Sequence, residues 1–318
     1  MPTEFELIRR YFARPAKHAL LGVGDDAALL EPSPGMALAV SADMLVAGTH
    51  FFPDADPRAL GHKALAVNLS DMAAMGAAPR WALLSLALPS ADSAWLKRFA
   101  GGFLALARAF DVDLVGGDTT RGPLNLSVTI VGEVPPRASL RRDAARPGDD
   151  VWVSGSLGEA ALGVAHGKGR VTLAANELAR CMCRLERPTP RIALGIALRG
   201  IAHAAIDISD GLAADLGHIC VRSKLGADVH VAQVPRSPLL ARLGDRAAAH
   251  EALLAGGDDY ELCFTAPVRR RGHVQALSTQ LGLPLTRIGT MRRGRGVRLL
   301  RADGAVARIG KRGFDHFG

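Results

Sequence analysis

Six short acidic motifs punctuate the sequence, most of them interrupting apolar runs: Gly24-Asp25-Asp26, Ser41-Ala42-Asp43, Asn68-Leu-Ser-Asp71, Gly116-Gly117-Asp118, Asp207-Ile-Ser-Asp210-Gly211 and Gly256-Gly257-Asp258-Asp259-Tyr260-Glu261. A lone Gly-Asp is usually a turn, because Gly adopts positive φ and Asp bonds its own backbone. Six of them beside apolar segments point elsewhere. Carboxylates removed from water repel one another unless cations neutralise them, and oxygen-only clusters suit Mg²⁺ bridging to phosphates. Phosphoryl chemistry is therefore the first expectation.

The sharpest motif is Lys63-Ala-Leu-Ala-Val-Asn68-Leu-Ser-Asp71-Met-Ala-Ala-Met-Gly76. Asn68 and Asp71 are three apart and share one helix face within an apolar helix. A buried carboxylate needs a metal, a cation or several donors; the bland reading is a polar stripe facing solvent, with Lys63 as a partner. In Gly24-Asp25-Asp26, adjacent carboxylates of an extended chain point to opposite sides, so one can ligate while the other caps. Taken alone, this motif reads as a turn. His50, between Thr49 and Phe51-Phe52, is either a packed core histidine or a contact at the mouth of a site. Gly116-Gly117-Asp118-Thr-Thr-Arg121 is either a β-turn or a phosphate loop with backbone N–H groups and a guanidinium. In the fifth motif Asp207 and Ser209 share one face of a strand end, while Asp210 starts the turn.

These motifs need elements to position them. The apolar spacing predicts helices over 4–13, 58–78, 94–110 and 190–202, with a further Ala-rich helix after residue 158. Strands are predicted over 36–42, 81–88, 114–115, 124–134, 151–153 and 204–208, and near 227–232, 261–265 and 296–300. The Pro-rich and Arg-rich stretch from Pro135-Pro136 to Asp149-Asp150 reads as a linker. The expected fold class is α/β (α+β) with two domains: 1–135, a mixed sheet with helices, and 148–318, an α/β sandwich closing the site.

Composition narrows the function. With 318 residues, 48% hydrophobic and 22% charged, the chain suits two globular domains. No apolar run reaches the roughly 18–20 residues of a membrane span. The N-terminal segment lacks the apolar core of a signal peptide, so a cytoplasmic location is expected. Cys181, Cys183, Cys220 and Cys263 have no zinc spacing and read as reduced thiols. A net charge of +8 with only 5% aromatics argues for anionic small substrates over nucleic acid, since stacking platforms are missing. There is no Walker A sequence, no Rossmann glycine fingerprint and no protein-kinase motif set.

The ordered motifs resemble the thiamine-monophosphate kinase family, of the superfamily that includes aminoimidazole ribonucleotide synthetase and selenophosphate synthetase. The resemblance is carried by Gly22-Val-Gly-Asp-Asp-Ala-Ala28, Asp43-Met-Leu-Val-Ala-Gly-Thr-His-Phe51, the Lys63–Gly76 string, Gly116-Gly-Asp-Thr-Thr-Arg-Gly122, Ile206-Asp-Ile-Ser-Asp-Gly-Leu212, Gly256-Gly-Asp-Asp-Tyr-Glu-Leu-Cys263 and Gly313-Phe-Asp-His-Phe317. It implies ATP-dependent phosphorylation of thiamine monophosphate to thiamine diphosphate by direct in-line transfer. It also implies a homodimer whose N-terminal sheets pair.

By the same resemblance, Asp26, Ser41, Ala42, Asp43, Asp71, Asp118, Asp207 and Asp210 hold several Mg²⁺ ions, with Asp43, Asp71 and Asp118 assisting transfer through metal. Gly117, Asp118, Arg142 and Ser209 bind ATP; His50, Asp258 and Phe314 contact the thiamine phosphate. No general base is implied. Asp25 and Asp259 stay with the turn reading. Three positions depart from the family's pattern: Ala42 lacks a hydroxyl, Asp258 stands for a longer Glu, and Phe314 replaces a Tyr or Trp. The alternative is another ATP-using member of the superfamily. A selenophosphate enzyme would need a catalytic Cys or selenocysteine near the N-terminus, yet the first cysteine is Cys181.

Overall fold

Thr3 opens the first helix by a reciprocal cap: its hydroxyl accepts the Glu6 N–H at 3.3 Å, and the Glu6 carboxylate accepts the Thr3 N–H at 2.8 Å. The helix, α1, is Glu4–Tyr11. The computed structural model describes residues 3–244, 246–307, 309–310 and 313–316. It divides into a first unit of Met1–Met72 and Ala77–Arg137 and a second of Ala73–Gly76 and Ala138–Gly318.

The first unit is built on a four-stranded sheet in the order β3-β6-β4-β5, with β3 Ala37–Val46, β4 Ala78–Leu88, β5 Asp113–Arg121 and β6 Asn125–Val134. Only β4 and β5 pair in parallel. Helices α2 (Pro57–Ala74) and α3 (Ser93–Ala109) belong to the same core. Helix α2 is apolar nearly all round and buried along most of its length, the pattern of a helix enclosed by its neighbours. Its contact with α3 is backbone to backbone: a Cβ at Gly61 would lie 2.1 Å from the Phe99 carbonyl oxygen. A two-stranded ribbon, β1 (Ala19–Leu21) with β2 (Leu29–Leu30), brings Ala19 and Leu30 against Trp81, Val115 and Val131. Strand β3 forms one edge, and its alternate residues Leu38, Val40 and Met44 are 44%, 64% and 57% exposed.

The second unit carries a six-stranded mixed sheet in the order β12-β9-β11-β7-β10-β8. Its strands are β7 Asp150–Ser154, β8 Ala204–Asp207, β9 Gly226–His230, β10 Leu262–Ala266, β11 Leu285–Arg292 and β12 Gly296–Leu300. Every residue of β7, β8 and β10 is buried, as strands covered on both faces must be. On one face Val151, Val153, Ile206 and Cys263 join the main core; on the other Trp152 stacks on Phe264 at 6.4 Å. The helices of this unit are α4 Glu159–Gly167, α5 Ala175–Glu186, α6 Ile192–Ala197, α7 Leu212–Ser223, α8 Pro238–Leu243, α9 Ala247–Ala255 and α10 Arg271–Leu281.

The sequence expectation omitted β1, β2, α5, α7, α8, α9 and α10, and three further elements differ from it. Strand β5 does not stop at Val115 but continues through Gly116-Gly117-Asp118, because β4 pairs with it as far as Leu88↔Arg121. Helix α6 covers only 192–197 of the predicted 190–202, since Gly200 turns left-handed at φ 71°. Strand β11 was not foreseen. Gly289 weakens its apolar run, yet only Gly fits there, a Cβ lying 2.0 Å from the Asp228 carbonyl oxygen.

Candidate functional site

In the first unit the acidic motifs gather where β3 meets α2. Alternation sends Ser41 and Asp43 to the face opposite Val40 and Met44. The Ser41 hydroxyl donates to Asp71 Oδ2 at 2.5 Å, and the Asp43 N–H donates to Asn68 Oδ1 at 3.2 Å. Asn68 is fully buried and fixed in turn, its amide donating to the Ala64 carbonyl at 3.0 Å. The polar stripe of α2 is thus directed at the strand that carries Ser41 and Asp43. Asp71 is half-buried, at the edge of the apolar shell.

The end of β3 is shaped by His50. Its Nδ1 accepts the Val46 N–H at 2.9 Å, which puts the neutral ring's proton on Nε2. The buried Lys63 ammonium donates to the His50 carbonyl at 3.3 Å. Asp25 acts as a turn residue, its Oδ1 accepting the Asp26 N–H at 2.9 Å; both acids are exposed. Ala42 points to the exposed face of β3, so only its backbone oxygen can serve a ligand.

At the opposite edge of the sheet, Gly117 has φ 143°, and a Cβ there would lie 1.8 Å from the Leu84 carbonyl oxygen. This position takes glycine alone. Asp118 follows, exposed, with Oδ1 accepting the Thr119 N–H at 2.8 Å. Strand register sets Asp118 in one row with Ser85, Ser127 and Met44. Asp43 therefore lies one row away and three strands across, about 14 Å at the usual inter-strand spacing. Within one sheet these two carboxylates are too far apart to share an ion.

In the second unit three segments meet behind Asp207. The buried Asp207 ends β8, and beyond it the chain stays paired with the 256–261 segment. The Asp258 N–H donates to the Ser209 carbonyl and the Tyr260 N–H to the Ile208 carbonyl, both at 2.8 Å. The third segment is near the C-terminus: the Phe314 N–H donates to the Asp210 carbonyl at 3.0 Å, and its ring meets His316 edge-on at 4.8 Å. Asp258 and Phe314, the two residues assigned to the acceptor in this unit, thus flank one turn. Burial pushes the Asp210 carboxyl above its ordinary range; His218, His316 and Arg142 pull against it and Asp258 adds to it. Arg142 itself is fixed through its carbonyl, which accepts from Ser223 Oγ at 2.8 Å.

Three groups at this turn escaped the sequence reading. Asp215, buried in the first turn of α7, accepts the N–H groups of Asp210 and Gly211 on one oxygen, at 3.1 and 3.0 Å. Burial first, then Asp207 and Asp210, push its carboxyl up to about 8. An acid in a first helical turn, five residues after Asp210, was the available signal. Glu261 is buried and accepts from Ser154 Oγ at 2.5 Å and from Arg191, whose Nε lies 2.7 Å away. Asp259, read as a plain turn residue, instead meets the start of α4: both its oxygens accept the Gly158 N–H, at 3.0 and 2.8 Å.

Oxygen donors suit a hard divalent cation. Among the described residues no three carboxylate, imidazole or thiol side chains form a ready metal cage. Mg²⁺ takes one or two carboxylates per ion and fills its shell with water and phosphate oxygens.

Residues 24–134 match the AIR synthase related protein N-terminal domain, and residues 146–301 the corresponding C-terminal domain. The thiamine-monophosphate kinase of Salmonella typhimurium is 47% identical, across 99% of this chain and 98% of that protein. Among solved structures, thiamine-monophosphate kinase from Stenotrophomonas maltophilia K279a has a TM-score of 0.85 and 49% identity, covering 91% of this chain and 92% of that one. The structure of AaThiL complexed with AMPPCP and TMP has a TM-score of 0.78 and 33% identity, covering 93% and 92%.

Proposed function

The chain belongs to the thiamine-monophosphate kinase family, and from that premise we propose that it transfers the γ-phosphoryl group of ATP directly to the phosphate of thiamine monophosphate. The observation that carries this reading is the Ser41–Asp71 and Asp43–Asn68 pairing of β3 with α2. It concentrates oxygen donors at the margin of an apolar core. Asp26, Ser41, Asp43, Asp71, Asp118, Asp207, Asp210 and the Ala42 carbonyl would hold the Mg²⁺ ions. When bound, Mg²⁺ shields the repulsion between two anionic phosphates and offsets the charge that develops during transfer.

The chain's own residues bind and orient. Gly117 lets a phosphate approach the backbone closely, and Ser209 and Arg142 complete the ATP contacts. His50, with its proton on Nε2, donates toward the acceptor phosphate, while Asp258 and Phe314 hold the thiamine portion. An acceptor phosphate is ionised at neutral pH, so no residue has to remove a proton before attack.

The same reading places the enzyme in the cytoplasm as a homodimer. No described helix is long and apolar enough to cross a membrane. The exposed Leu38, Val40 and Met44 face of edge strand β3 supports pairing with a second copy. So does the spacing of the acids. A ring using both Asp43 and Asp118 cannot close within one sheet and would draw them from two copies.

The test is an ADP-release assay with ATP and thiamine monophosphate, with and without Mg²⁺. Mg²⁺-dependent release on that acceptor is the expected result. Release only on another small phosphate would move the chain to a sister activity.

A further inference from the structure

Two residues other than glycine in the 256–261 segment have left-handed backbone: Asp258 at φ 66° and Tyr260 at φ 50°. Side-chain-bearing residues resist this region, and such strain persists only where the surroundings over-determine it. Here the surroundings are specific. The residues that follow each strained position, Asp259 and Glu261, are acids whose carboxylates are tied to other parts of the second unit. Asp259 bonds the Gly158 N–H with both oxygens at the start of α4. Glu261 is buried against the Arg191 guanidinium and the Ser154 hydroxyl. Beside these anchors the Asp258 and Tyr260 N–H groups staple the backbone to the Ser209 and Ile208 carbonyls, and a Cβ at Gly257 would lie 2.2 Å from the Ser209 oxygen.

We propose that Asp259 and Glu261 are positioning residues for acceptor binding, clamping the strained segment so that Asp258 is presented in its left-handed conformation. The inference rests on reading Asp258 as an acceptor contact, and it extends that reading to residues that touch no substrate. A simple turn would need neither anchor. Two carboxylates alternating with two strained residues make a rigid platform, because relaxing either strained position pulls on the anchor next to it. Loss of an anchor releases the strain locally, shifts Asp258, and leaves the sheet beneath it intact.

The test compares Asp259→Ala, Asp259→Asn and Glu261→Gln with the unaltered enzyme. In Asp259→Ala the apparent KM for thiamine monophosphate is expected to rise about 10- to 100-fold, the scale of an ångström-sized misplacement. The KM for ATP should change little, and Asp259→Asn, which keeps an oxygen for the Gly158 N–H, should restore most of the loss. Hydrogen exchange supplies a substrate-free arm: the Asp258 and Tyr260 amides should exchange faster in Asp259→Ala and Glu261→Gln. Equal KM shifts for both substrates, no rescue by Asn, or unchanged exchange would overturn the proposal. If Asp259→Ala does not fold, the same two measurements on Glu261→Gln decide the matter. An unaltered enzyme that releases no ADP with thiamine monophosphate defeats the functional reading alone; the exchange arm still judges the clamp.

Discussion

Asp71 is the residue on which the proposed chemistry turns, because it is half-buried, bonded to Ser41 and placed at the margin of an apolar helix. Asp71→Asn keeps an oxygen able to accept the Ser41 hydroxyl but removes the charge. Turnover in the ADP-release assay should fall by about 10³-fold or more while the melting temperature holds, since an electrostatic contribution is lost and a shape is kept. Gly117→Ala tests the other edge of the sheet. Its methyl would lie 1.8 Å from the Leu84 carbonyl oxygen, so denaturant unfolding should show a loss of about 1–3 kcal/mol. At this scale the sequence was informative about which acids share a helix or strand face. It missed Asp215 despite partners only four and five residues away, and it gave no sign of the anchors of Asp259 and Glu261, whose partners lie on other elements: Gly158 is 101 positions from Asp259, and Ser154 is 107 from Glu261. Long-range partners leave no local pattern to read.

Elements were legible where burial imposes one period. The mostly apolar α2 emerges directly from the spacing of its side chains; β3 reads as a buried apolar strand, and its alternating exposure appears only in the fold, yet both are needed to bring Asn68 and Asp71 to Ser41 and Asp43. Glycine hid strands at two places, although β6 was read despite Gly132. Gly116-Gly117 and Gly289 read as breaks, yet Gly117 and Gly289 each mark a place where another backbone approaches too closely for a Cβ. Asp228 on β9 gives an element-level prediction. Arg298 on β12 bonds it, as does Arg292 on β11, and hydrogen bonding from Arg298 above all holds its carboxyl below the usual 3.8. A carboxyl depressed in the folded state stabilises at pH above its unfolded value, and that contribution fades as pH falls through the folded one. Thermal unfolding of Asp228→Asn should therefore diverge from the unaltered protein above the ordinary carboxylate value of 3.8 and converge on it as pH falls through the depressed folded value.

At the scale of the whole molecule, the sequence could separate two α/β halves but could not show which sheet edge stays open, because exposure depends on strand order. Leu38, Val40 and Met44 look like core residues in the sequence and are surface residues in the fold. Val40→Asp should shift the protein toward monomer in sedimentation experiments and reduce activity with it; a dimer of unchanged stability would argue against pairing through β3. The separation of Asp43 from Asp118 across three strands also has a genetic consequence. Two alleles, one Asp43→Asn and the other Asp118→Asn, should each be inactive alone yet complement when co-expressed. Each mixed dimer would combine both lesions in one site and leave the other site whole, so random pairing should return about a quarter of normal activity.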